Sequence, residues 1–174
     1  MNSFLGIQSA AHYWQDVVHP NILEYEKYKS PRVAFNLATS LWHLQEWVVV
    51  DLNQNSDHKQ LKAAKTKFKA TLIEQCPVLG ILHDLTTANK HATVSAPLGA
   101  VVSTSAETKM VHFSFLGGQP VTEHGSEFSI KLADGTVKNL DQIFIEAINY
   151  WDANLHRWLN TKTEKPDVSK LKNP

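Results

Sequence analysis

Four polar residues on one predicted helix carry much of the chain's potential for chemistry. In the stretch Ser30 to Val50, at about 100° per residue, Arg32, Asn36, Thr39 and His43 fall on one narrow stripe, with Glu46 and Trp47 at its edges. A second grouping, Asp84, Asn89, Lys90 and His91, sits on another predicted helix. An imidazole can exchange a proton near neutral pH, and a guanidinium or ammonium can stabilise charge developing on a phosphoryl oxygen. These residue types suit an inter-helical pocket for an anionic ligand, RNA among them. They also suit metal-independent RNA cleavage, in which His43 or His91 takes the ribose 2′-hydroxyl proton while Arg32 or Lys90 stabilises the phosphorane. Arg32, His43 and His91 are then the catalytic candidates, and Asn36, Thr39, Asp84, Asn89 and Lys90 the ligand-binding ones.

The flanks of the stripe are apolar, Val33, Leu37, Leu41, Leu44 and Val48 on one side and Phe35, Ala38, Trp42 and Val49 on the other. A helix apolar on both sides is expected to be mostly buried. Polar groups inside it then need partners, because each unpaired one costs roughly 1 to 3 kcal/mol. Arg32 opposes the helix dipole in the first turn, so a carboxylate or an anionic ligand is expected beside it. Asp84 is the candidate if packing brings it closer than a simple antiparallel register does. The competing reading is a non-catalytic interaction or structural module in which the same residues fix helix packing.

A transition-metal-binding bundle is a third reading. His43 and Glu46 share a face, and Asp84 with His91 could add ligands from a second helix. The Glu-x-x-His pairs of carboxylate-bridged bundles are missing, and His12, His19, His58, His124 and His156 are scattered without ligand spacing. No metal or other cofactor is therefore expected. The lysines at 59, 62, 65, 67 and 69 read as a solvated helix face, with no Trp or Tyr between them to stack bases. Cys76 has no His or Asp close in sequence and is expected to be inert.

The elements that must position these residues are mainly helical. Phe4, Ile7, Ala11, Trp14 and Val18 give a first amphipathic helix that Pro20 kinks or breaks and that resumes over Asn21 to Lys29 with Ile22 and Tyr25 inward, so that the first helix is long and bent. Ser30 and Pro31 start the second, because a Ser side chain caps an orphan amide and Pro at the first helical position has none to satisfy. A third helix is expected over 57–74, and a fourth from Cys76-Pro77 to before Pro97, with Ile81, Leu85, Ala88 and Ala92 inward. After Pro97 the β-branched, alternating runs GAVVSTSA, TKMVHFSFL and SEFSIKLADGTVK predict three or four antiparallel strands, with a loop over 117–125 and a hairpin turn at Asp134-Gly135. Asn139 caps a last helix whose stripe is Leu140, Phe144, Ala147, Trp151, Leu155 and Trp158. The expected fold is a mainly α bundle of four to five helices, one domain over 1–160, with a small β-meander inserted at about 98–138. Residues 161–174 read as a mobile polar tail.

Composition limits the function classes. The 17 Lys and Arg balance the 17 Asp and Glu, so no overall field draws the chain to nucleic acid or an anionic membrane. No run approaches the roughly 18 apolar residues of a membrane span. The single cysteine and the lack of a signal-like N-terminus agree with a cytoplasmic protein. A homodimer through exposed helical surface is a fair expectation.

The run RVAFNLATSLWHLQEW followed by PVLGILHDLTTANKHA resembles uncharacterised bacterial and phage-associated helical proteins and, more distantly, the HEPN superfamily of helical bundles. The resemblance covers about Ser30 to Ala92 and implies a helical bundle of the kind that includes RNA-cleaving toxins and defence proteins. Active HEPN ribonucleases carry an Arg followed four to six residues later by His. Here neither Arg32 nor Arg157, the chain's two arginines, is followed in that way, and no catalytic residue carries over from the family.

Overall fold

The computed structural model describes residues 5–91, 98–113 and 121–159, apart from the side chains at 89, 91, 108–113 and 121–126. Among the described residues the fold is mainly α, five helices with a three-stranded antiparallel sheet before the last. Helix α1 is a composite of an α-helical turn Ala10–Tyr13, a π-helical turn Trp14–Val18 and an α-helical stretch His19–Lys27. The π-helical turn lies just ahead of Pro20, which has no amide and whose ring crowds the carbonyl four residues back. His19 N–H bonds to Trp14 O, five residues away, and this wider turn lets the helix run on through the proline. Pro20 therefore does not end the helix, which continues to Lys27.

Helix α2, Pro31–Leu52, is the central element and touches each of the other helices. Ser30 Oγ accepts from Val33 N at its start, as the capping reading requires. Val33, Leu37, Leu41, Leu44 and Val48 are all buried. Asp51 near its C-terminus accepts from Ala10 N at 2.7 Å, tying the first turn of α1 to the end of α2.

Helix α3, His58–Gln75, begins in a reciprocal Asp57–Gln60 capping box and buries only Leu72, the outer helix its lysines imply. Helix α4, Val78–His91, buries Val78, Leu79, Ile81, Leu82 and Leu85 in the core, with α2 as its main neighbour. Strands β1, Val101–Phe113, and β2, Val121–Leu132, pair along their full length, and β3, Val137–Asn139, adds to β2. Two runs read as separate strands in the sequence are thus one strand, β1. Residues 121–125, expected in a loop, belong to β2, because main-chain pairing with 109–113 holds even the polar run Glu123-His124-Gly125 in the ladder. Helix α5, Leu140–Leu159, follows β3 directly. Asn139 Oδ1 accepts from Asp141 N at 2.8 Å, and Phe144, Ala147, Trp151 and Leu155 are fully buried. The tail expected at 161–174 lies outside the described residues. No helix among the described residues is long and apolar enough to cross a membrane.

Candidate functional site

The α2 stripe is not where a buried network would put it. Arg32 is 67% exposed, Asn36 and His43 are exposed and Thr39 is half-buried. The residues of both apolar flanks are buried or half-buried, and the strip between them is largely exposed. Arg32 finds its carboxylate in Glu24 of α1, at 2.6 Å, rather than in Asp84. Continuing α1 through Pro20 is what brings Glu24 there. Lys90 is exposed. The side chains of Asn89 and His91 lie outside the described residues, so the expected meeting of Arg32 with His91 does too.

Asp84 is fully buried, and both its oxygens are occupied. Oδ1 accepts from Leu98 N at 2.7 Å and lies 3.0 Å from His83 Nδ1; Oδ2 accepts from Gly99 N at 2.8 Å and Val101 N at 3.3 Å. One carboxylate thereby fastens the chain entering β1 onto α4. The approach is so close that a Cβ on Gly99 would sit 2.3 Å from Ile81 N, a contact backbone cannot yield. Ala100, held beyond this contact, takes φ of 55°, a left-handed conformation costly for a residue with a Cβ.

His83 is the residue the sequence reading passed over. Its ring is 18% exposed and packs edge-on against Trp42 of α2, centroids 4.9 Å apart. Ionised, Asp84 only accepts hydrogen bonds, so it assigns the proton of neutral His83 to Nδ1 and leaves Nε2 to give or take one. His43 follows Trp42 in α2, and its pKa is lowered, first by desolvation and then by the His83 imidazole, against an opposing pull from Glu46. Its neutral form is therefore favoured at pH 7. From the outer helix, Lys69 sets its ammonium 5.2 Å from the Trp42 ring centroid, and Lys65 pairs with Glu46. Packing of α2, α3 and α4 thus sets the Asp84-held His83 imidazole and the Lys69 ammonium against Trp42, with His43, next in sequence, in electrostatic reach of His83. The signal present in the sequence was the His83-Asp84 dipeptide, but only helix packing shows what it faces.

Other features carry less chemistry. A cavity of about 210 Å³ between α2 and the sheet is lined by residues including Phe35, Leu85, Phe128 and Ile130, with no titratable side chain. Tyr25 and Lys29 both bond Asp141, at 2.7 and 2.5 Å, joining the end of α1 to the start of α5 as a structural clamp. Burial pushes the Cys76 thiol up to about 11. Among the described residues no three His, Cys, Asp or Glu side chains are grouped to hold a metal ion, and the set His43, Glu46 and Asp84 does not assemble one.

No family model, no curated protein and no solved structure matches the chain.

Proposed function

We propose that His43 and His83 form a metal-independent acid–base site acting on an anionic phosphodiester, with RNA as the substrate class. The observation that carries this reading is the dyad at 3.0 Å between His83 Nδ1 and the fully buried Asp84, set beside a second imidazole whose neutral form is favoured. Perturbed or oriented titratable groups gathered at a surface are where proton transfer is most readily organised.

In this scheme neutral His43 takes the 2′-hydroxyl proton as the 2′-oxygen bonds to phosphorus. The bond from phosphorus to the 5′-oxygen breaks, and Nε2 of a protonated His83 gives that oxygen its proton, with Asp84 accepting from Nδ1–H throughout. The products are a 2′,3′-cyclic phosphate and a 5′-hydroxyl. Lys69 supplies positive charge for the phosphoryl oxygens. The chemistry needs no HEPN-type Arg-x4-6-His motif. It also moves the centre from the Arg32–His91 region to His43, His83 and Lys69.

The exposed strip of Arg32, Asn36 and His43 favours a second reading, a face for a protein partner with no catalysis. One experiment separates the two. Purified protein is incubated with a mixed single-stranded RNA pool in excess chelator, beside His43→Ala and His83→Ala. The acid–base reading expects cyclic-phosphate termini from wild type and a loss of roughly 100-fold or more in each variant. A wild-type protein that leaves the RNA intact, or variants that cut as fast as wild type, overturns it.

A further inference from the structure

The sheet order is β1-β2-β3, so among the described residues the outer edge of β1 pairs with nothing along its length, and residues 102–107 are exposed. Which main-chain groups face that edge follows from the ladder. Leu132 N donates to Thr136 O at 2.8 Å, so, in the register Ile130↔Lys138, Ile130 also turns its amide groups toward β3. Alternation then turns Ser129 and Lys131 toward β1, where their partners are Ser105 and Ser103. The even-numbered residues Thr104, Ala106, Thr108, Met110 and His112 are left with N–H and C=O directed away from the sheet.

Charge decides what fits this edge. Sheet edges are ordinarily blunted by charged residues, and Glu107 and Lys109 could be read in that way. Their signs are opposite, however, and they stand two positions apart on one face. A twofold axis through Thr108 sets Glu107 of one copy opposite Lys109 of the other, twice over. The same axis sets Ala106 opposite Met110 and Thr104 opposite His112, so the outward-facing amides meet as hydrogen-bonded pairs. Glu107 and Lys109 then fall at the non-hydrogen-bonded positions, where opposed residues stand closest. A shift of one residue in this register would break both matches.

We infer that β1 is a self-association edge through which two copies of this chain join antiparallel in one continuous six-stranded sheet. The partner is a second copy, because charge pattern and backbone phase are complementary to themselves about one axis.

Sedimentation velocity over a micromolar concentration range tests this. Wild type is expected to be a dimer. Glu107→Lys and Lys109→Glu each place like charges opposite one another twice, and each should weaken association about tenfold or more. An equimolar mixture of the two variants restores Glu opposite Lys and should recover the dimer. Ala106→Pro removes an outward amide without touching the ladder to β2 and should give a monomer with unchanged helical circular dichroism. A wild-type protein that is monomeric throughout, or a dimer unaffected by all three substitutions, overturns the inference.

Discussion

Replacing Asp84 by Asn keeps size and shape while changing one atom from acceptor to donor. Each carboxylate oxygen receives N–H groups, Oδ1 from Leu98 and His83, Oδ2 from Gly99 and Val101. Turned one way, the Asn NH2 faces the Gly99 and Val101 amides; turned the other, it faces the Leu98 amide and a His83 ring that can change tautomer to accept, so at least one hydrogen bond is lost and the others become neutral. Hydrogen bonds to a charged group are worth about 1.5 to 3 kcal/mol each, so the loss is about 3 kcal/mol or more. The bonds hold the segment that Gly99 seats on α4, so the strained φ at Ala100 loses its support as well. Urea unfolding followed by tryptophan fluorescence reads the change directly. With a slope of about 2 kcal/mol per molar, the midpoint should fall by about 1.5 M with the slope unchanged. Gly99→Ala breaks the same seat from the other side, and the double variant should cost clearly less than the sum of the two. An Asp84→Asn midpoint within about 0.2 M of wild type would refute the assignment of this carboxylate as the anchor.

Three further outcomes follow from the same contacts. Arg32→Ala removes a surface ion pair with Glu24 and should lower stability by less than about 0.5 kcal/mol in the same urea titration, since exposed pairs contribute little. The thiol of Cys76, buried and raised to about 11, should react with a thiol reagent at pH 8 far more slowly in folded than in urea-unfolded protein. His43 has a lowered pKa in the folded state, so the unfolded chain binds its proton first as pH falls below about 6.5. The stability this neutral imidazole contributes is present above that pH and is lost on acidification, and His43→Gln should make the midpoint less pH-dependent between about pH 7 and 5.

Local chemistry was the legible part of the fold. Ser30-Pro31 and Asn139 mark helix starts because a cap acts within three residues. The last helix was equally plain from its apolar stripe. Long-range pairing was not. Nothing in TKMVHF and VTEHGS announces that they form one continuous hairpin, since main-chain ladders tolerate polar residues that periodicity counts as loop. The candidate site shows the same division. The α2 stripe was found but its environment was misread, because apolar flanks say which sides of a helix are covered and not whether the strip between them is. Arg32's need for a carboxylate was correct in kind. Its partner came from α1, eight residues earlier, where the helix runs on through Pro20, and the sequence alone does not say which carboxylate that continuation sets beside Arg32. His83 lay on no polar stripe and became meaningful only once helix register set it against Trp42, with His43 one residue further along α2.

The central claim is that Asp84 sets His83 to exchange a proton through Nε2 beside a neutral His43, at a place where a phosphodiester binds. Imidazole 15N spectra of the folded protein, recorded at pH 7 with and without a single-stranded DNA oligonucleotide that lacks the attacking 2′-hydroxyl, test it most directly. The account predicts that neutral His83 carries its proton on Nδ1, and that the oligonucleotide moves the signals of His43 and His83 while leaving His12 and His58 in place. A neutral His83 protonated on Nε2, or an oligonucleotide that shifts neither imidazole, would contradict it.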